Sequence, residues 1–339
     1  MKGYSLLLLT MAALLLLLPL PALPRQAAAD TTPTESDPPP ADQSNPAPDT
    51  SADTSQPDPL TGQFRMLCGT EVVTLEEREF LVRTLAMEMS PTYHTEALKA
   101  QAVAAYTYYA RRRQMQADKP DEALQGADFI TPKEDFPAAY TEEKLRERWG
   151  SQYDAYYEKV CQAIDAVAAQ TITHSGTLID ACYHSISSGC TESARVVWGA
   201  DIPYLQAVAS PGDRLAPGYE AVCTLTAEQV RAALGDVQPA VTLGEDPGTW
   251  FGQPTLSEAG TVEAQPIGDT TLPGTRVRQL LGLRSAAFTV EYKDGTFTIT
   301  VHGYGHGVGM SQYGADYLAR QGYSYKEILE YYYTGVTVG

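Results

Sequence analysis

Positive charge is in short supply in this sequence: 24 Lys and Arg stand against 42 Asp and Glu, a formal net charge of -18 over 339 residues. Phosphate backbones are gripped by clustered Lys and Arg, and no such cluster or stripe occurs, so nucleic acid is excluded as a partner. Cysteine is scarce as well. The five present, Cys68, Cys161, Cys182, Cys190 and Cys223, leave at least one unpaired and rule out a complete disulfide framework. There is no internal repeat, and the one glycine-rich run, Gly303 to Gly309, lacks the Lys-Ser/Thr ending of a phosphate-binding loop. Apolar residues, by contrast, are plentiful. At 43% of the chain they support a sizeable core and exclude disorder throughout. The 21 tyrosines are expected mainly as buried rings with satisfied hydroxyls, although rings that stack on sugars are the other use of such a surplus.

The N-terminus has its own grammar. Lys2 precedes an apolar run from Leu6 to Leu18, followed by Pro19, Pro21, Pro24 and Ala27-Ala28-Ala29 before Asp30. That is the layout of an export signal. The run is shorter than the ~20 residues of a spanning helix, but extension through Leu23 allows a retained anchor. Residues 1–29 are therefore expected to be a signal peptide or membrane anchor, with the remainder outside the cytoplasmic membrane, secreted or tethered, and touching membrane only there. Between Asp30 and Pro59 lie eight prolines and seven acidic residues, with no Lys or Arg. Such composition cannot form a core, so residues 30–62 read as a disordered, acidic, Pro-rich linker.

From residue 63 onward the periodicity changes character and predicts an α+β fold: a helical N-terminal part, then mixed short strands, a hairpin and C-terminal helices. Thr74 with Glu77 has the spacing of a capping box and predicts a helix over 75–89, ended by Ser90-Pro91. A second helix is expected over 95–113 with an Ala-rich face, and a third over 142–168. Short strands are expected at 171–173 and 178–183, a helix at 224–234 capped near Thr226, and a hairpin turning at Asp294-Gly295. Residues 235–268, rich in Gly, Pro and acid, read as an insertion with little to offer a core.

Several side chains could carry chemistry. Glu88 follows Leu81 and Leu85 at helical spacing, which puts a carboxyl on an apolar stripe. Desolvation there raises its pKa, as a proton donor working near neutrality needs; a solvated or ion-paired glutamate is the alternative. Glu96 competes, but it sits in the first turn of its helix, where the dipole favours the anion, so a structural role is expected. His306 lies among glycines and either lines a groove or holds a tight turn. Gln312 and Tyr313 could hydrogen-bond a polar ligand, or Gln312 could cap the following helix. Cys182, His184 and Cys190 supply two thiols and an imidazole, enough for three zinc ligands; a Cys182–Cys190 disulfide and plain free thiols remain the alternatives. In the zinc reading a structural ion fixes residues 185–193 so that Ser187 and Ser188 face the substrate. A Cys190–His306 peptidase pair is a further possibility, weakened because Cys190 does not open a helix.

The run Ala86-Met87-Glu88-Met89-Ser90, with Glu96 to Ala105, resembles the opening motif of the stage II sporulation protein D and LytB family. Three later segments resemble it in the same order: Tyr183 to Gly189 with Thr191-Glu192 and Val197-Trp198-Gly199; Leu281 to Ser285; and Gly303 to Ala315. The resemblance implies a lytic transglycosylase that cleaves the bond between N-acetylmuramic acid and N-acetylglucosamine in peptidoglycan glycan strands stripped of peptide. Glu88 falls on the family's glutamate. It also implies zinc in some relatives, a sporulation amidase as partner, or, for LytB-type relatives, non-catalytic activation of a cell-wall amidase. The chain departs from the pattern at Ser90, where proline is common, and at Tyr106, where arginine is common and would place a charge near Glu88.

Overall fold

In the computed structural model the described residues are 60–131, 140–235, 237 and 240–339. The expected signal segment and all but the end of the expected linker lie outside them. The fold opens with β1 (Gln63–Cys68), whose Phe64 and Met66 point inward while Gln63 and Arg65 face solvent, the alternation of a half-buried strand. It turns through Gly69 into antiparallel β2 (Glu71–Glu76), and β3 (Phe129–Thr131) adds to β1 in parallel. Thr74 sits in this ladder opposite Arg65, so the expected capping box does not form: the β-branched Val72-Val73-Thr74 run is taken up by strand pairing. The helix starts at the next opportunity, α1 (Glu77–Glu88), without a side-chain cap.

Glu77 is instead a buried anchor. It accepts from Arg113 Nη1 at 2.7 Å and from the Gly62 amide at 3.2 Å. Tyr106 donates to the same carboxylate at 3.3 Å, so the departure at Tyr106 bears on Glu77 rather than on Glu88. Behind α1 lies α2 (Thr95–Asp118), longer than the expected 95–113. Its buried Ala97, Ala100, Ala102, Ala104 and Ala105 let it sit centrally, packed on α1 and on later helices. The expected helix over 142–168 is broken into α3 (Glu142–Trp149) and α4 (Tyr153–Asp165). Gly150 divides them with φ +52, a conformation that glycine adopts without strain.

Next come β4 (Ile172–His174), β5 (Thr177–Leu178) and β6 (Tyr183–His184), where one longer strand was expected over 178–183. A short helix follows, α5 (Ala194–Trp198), and then β7 (Glu220–Thr226). Thr226 does cap α6 (Ala227–Leu234), in a full capping box with Gln229. Beyond it lie β8 (Thr255–Leu256), β9 (Val262–Ile267), β10 (Thr270–Pro273) and α7 (Gly274–Leu281). The expected hairpin is β11 (Phe288–Lys293) and β12 (Thr296–His302), joined with positive φ at Asp294 and Gly295 and flanked by β7. The chain closes with β13 (Met310–Ser311), α8 (Gln312–Arg320), α9 (Tyr325–Tyr332) and β14 (Thr337–Val338). Two strands from the C-terminal end return to the middle of the chain: β13 pairs in parallel with β6, and β14 pairs with β4.

Two hydrophobic cores result. The larger gathers β1 and α1 through α4 with α8 and α9 from the C-terminal end. The smaller is built within residues 230–301. The expectation that 235–268 offers little to a core is corrected here: Trp250 is 1% exposed and stacks on Phe297 at 5.6 Å, with Val262 and Ile267 beside it. Its polar composition hid four buried apolar residues, Val237, Trp250, Val262 and Ile267. Among the described residues no helix is long and apolar enough to cross a membrane.

Candidate active site

Glu88 ends α1 and is half-buried. Its neighbours come from the other end of the chain. Gln312, the first residue of α8, donates from Nε2 to Glu88 Oε2 at 3.4 Å and to Gln101 Oε1, also at 3.4 Å. Burial pushes the Glu88 carboxyl up, Gln312 pulls it down, and burial wins, leaving it at about 7. Burial first, and then Glu88, push the Tyr183 hydroxyl well above its ordinary range. A cavity of about 240 Å³ opens beside Glu88, lined by Met87 through Pro91 with Arg148, Trp149 and Tyr156. Glu88 is its one acidic lining residue. Glu96 is tied to Lys99 at 2.7 Å and to the Tyr325 amide at 2.8 Å, the structural part expected of it.

What places Gln312 is a carboxylate that sequence reasoning missed. Asp213 is fully buried with no cationic partner among the described residues. It accepts from the Ser187 amide at 2.9 Å, from the Ser187 hydroxyl, and from the Ser311 hydroxyl at 2.8 Å. Ser311 in turn caps α8 by accepting from the Gly314 amide at 3.1 Å. One carboxylate thereby fixes both the 185–193 loop and the helix that carries Gln312. A Cβ on Gly314 would stand 2.1 Å from the Tyr332 hydroxyl and 2.4 Å from Ser210 Oγ, so only glycine fits beside it. Glu192 plays the matching part at the far end of the loop. It is buried and accepts from the Ser193 amide at 2.8 Å, Ser257 at 2.5 Å and Thr261 at 2.6 Å. Asp213 stands in a Pro-Gly-Asp turn with no periodic signal to find it; Glu192 and Gln101 lie inside the quoted motifs, which could have singled them out.

The remaining expected site residues are distributed differently from the sequence reading. Ser187 is buried and committed to Asp213, so its hydroxyl does not face a groove. Ser188 donates toward the Ala259 carbonyl at 3.4 Å and lines a second cavity of only about 20 Å³ with His306 and Cys190, room for roughly one water. His306 holds a turn: Nδ1 accepts from the Val308 amide at 3.1 Å, and the ring also bonds the Tyr183 backbone. Both nitrogens are occupied, which leaves none to activate Cys190. Burial, then Glu192, raises the Cys190 thiol further, and a Cys190–His306 nucleophile pair is not assembled. The glycines around His306 serve packing rather than ligand approach. A Cβ on Gly309, at φ +73, would meet the Cys182 carbonyl at 2.1 Å, and one on Gly305 would meet His184 Cβ at 2.8 Å. Tyr313 lines neither cavity; it donates to the Leu215 carbonyl at 3.2 Å and meets Tyr93 edge-on at 6.3 Å.

The expected zinc set does not fit a metal. Among the described residues no three His, Cys, Asp or Glu gather closely enough to hold one, and Cys182, His184 and Cys190 are not brought together. Cys182 is buried, and burial followed by Asp180 pushes its thiol far up, the wrong direction for a thiolate ligand. Cys190 bridges to Ala209 on the other side of the loop. His184 donates through Nδ1 toward the Val308 carbonyl at 3.2 Å and faces His306 at 5.7 Å. None of the five cysteines is in a disulfide, so no Cys182–Cys190 bond forms either.

Comparison with known proteins agrees with the motifs. A family model described as Stage II sporulation protein matches residues 69–174. Stage II sporulation protein D of Bacillus subtilis (strain 168) is 34% identical over 292 residues, 85% of this chain and 81% of that protein. Its counterpart in Bacillus amyloliquefaciens is 38% identical over 269 residues, 79% of this chain and 75% of that one. An amidase enhancer of Bacillus subtilis is 26% identical over 309 residues, covering 74% of this chain and 39% of its own length. With more than a third of residues identical to two such proteins across three quarters or more of each, the chain belongs to the stage II sporulation protein D family.

Proposed function

We propose that the protein is a lytic transglycosylase acting on peptidoglycan glycan strands, with Glu88 as its acid and base. One observation carries the reading: a carboxyl pushed up to about 7 by burial, alone among acids on the lining of an open cavity. Such a group holds its proton near neutrality and can give it to a glycosidic oxygen as the bond to C1 of the muramyl residue breaks. The resulting carboxylate takes the proton of the C6 hydroxyl as that oxygen bonds to C1. The product is a 1,6-anhydro ring, and no water is consumed. Hydrolytic glycosidases need a second carboxylate for the water or the nucleophile, and the cavity offers none. The setting we propose is outside the cytoplasmic membrane, on strands that an amidase has stripped of peptide.

The second reading is a non-catalytic activator of an amidase, which the likeness to an amidase enhancer favours. One assay separates the two. Peptide-free strands incubated with the full chain alone should yield 1,6-anhydromuramyl ends by mass spectrometry; strands left intact, together with faster peptide release from whole peptidoglycan when an amidase is added, would support the activator.

A further inference from the structure

We infer that the cavity beside Glu88 is a subsite for a sugar acid, in which Arg148 receives a free carboxylate and selects peptide-stripped strands. The inference rests on the proposed glycan-strand function. It begins with an imbalance of charge. In a chain with 42 acidic and 24 basic residues, cations are expected to find acids, and the next arginine in the same helix does: Arg146, two residues away, pairs with Glu142 at 2.9 Å and with Asp154 at 3.5 Å. Arg148 has no such partner among the described residues. Its Nη1 donates to the Ala86 carbonyl, in the last turn of α1, at 3.2 Å. That bond anchors the side chain at the cavity and uses one of the five donors of a guanidinium. A planar fork with donors to spare is the side chain that recognises carboxylates in pairs of hydrogen bonds.

The rest of the lining suits a sugar. Trp149 and Tyr156 meet edge to face at 6.0 Å and present apolar ring surface to the cavity, while Glu88 supplies the acid. The floor is a turn held from behind, where Lys159 donates to the Pro91 carbonyl at 2.9 Å and the Tyr93 carbonyl at 2.6 Å. Pockets for whole small ligands run ~300–1,000 Å³; at about 240 Å³ this one suits a single residue of a polymer that continues over the surface. A muramyl residue without its peptide carries a lactyl carboxylate. With the peptide attached, the same carbon is a neutral amide that drags a bulky chain with it. Arg148 therefore distinguishes the two by charge.

The test is binding, which does not depend on turnover. Full-length Glu88→Gln is titrated with peptide-free strands, and with the same strands whose carboxylates have been converted to methylamides. The free-acid strands should bind about tenfold tighter, the order expected of a charge-assisted pair, and the preference should weaken with salt. In Glu88→Gln/Arg148→Gln the preference should vanish, with affinity lost chiefly for the free-acid strands, whereas a merely structural Arg148 would lower both alike and leave their ratio unchanged. Arg148→Lys, which keeps charge without the fork, should retain part of the preference. Equal binding of both strands by the parent, a preference that survives Arg148→Gln, or no binding of either strand would overturn the inference. Failure of the catalytic reading shows differently, as discrimination in binding without anhydro products.

Discussion

The two cores differ in how they are put together, and the difference assigns them different work. The smaller core closes within residues 230–301 through hairpins and neighbouring helices. The larger one brings residues 64–205 against residues 308–338, and both Glu88 and its partner Gln312 stand where those distant segments meet. The smaller lobe touches the site only at its margin, where Ser257 and Thr261 grip Glu192 and the Ala259 carbonyl meets Ser188. Chemistry is thus placed at a junction of chain-distant pieces, and a locally folded lobe buttresses the loop beside it.

The sharpest way to break this division is at Glu88. Glu88→Gln keeps the shape and removes the proton, so the strand-cleaving rate should fall by ~10²–10⁴-fold, the usual share of general acid catalysis. The circular dichroism spectrum should not change; near wild-type turnover would refute the assignment. Next in size is Trp250→Ala in the other core, which should cost about 3–5 kcal/mol, read by urea denaturation. Hydrogen exchange should rise across 220–301 while 63–131 stays protected. Deleting 235–268 should abolish protection across the rest of 220–301 outright.

Smaller effects should follow pH. Because Glu88 must start protonated, kcat/KM should decline as pH rises through about 7. Its raised pKa also means the folded state holds that proton more tightly than the unfolded chain. The associated stability is complete below about 4.5 and is lost as pH climbs towards 7, so Glu88→Gln should gain melting temperature at pH 8 and not at pH 4. His184 and His306 run the opposite way. Burial depresses them to about 4 and about 3, so their contribution is present above 6.5 and is lost as pH falls. The gap in melting temperature between pH 7 and pH 5 should narrow in His306→Gln; an unchanged gap would mean that His306 does not titrate as its burial implies.

Much of the first core was legible because its signals are local. Leu81, Leu85 and Glu88 share a helical stripe, the alanines of α2 announce close packing, and Asp294-Gly295 specifies its own turn. Glu88 could be read from that stripe, since burial is what a periodic pattern encodes. The failures have equally physical causes. Thr74 satisfies the spacing of a cap, but a cap exists only if the preceding residues are free, and β1 claims them. Residues 235–268 look polar on average, yet a core needs only Trp250, Val262 and Ile267 in the right places. Asp213 and Arg148 matter through groups far away in sequence, which no local window contains. The expected zinc ligands were close in sequence and diverge in space because Cys182 turns into the core while Cys190 turns out toward Ala209.

The bond from Gln312 to Glu88 spans 224 positions, and this separation has a temporal meaning. Contacts of such range form late, since closing a long loop must precede any reward from the contact. A chain still being synthesised already carries Glu88, but neither Ser311, which completes the Asp213 hub, nor the helix that bears Gln312. The acid therefore meets Gln312 only once the final segments have docked, so the site is completed by the last part of the chain to be made.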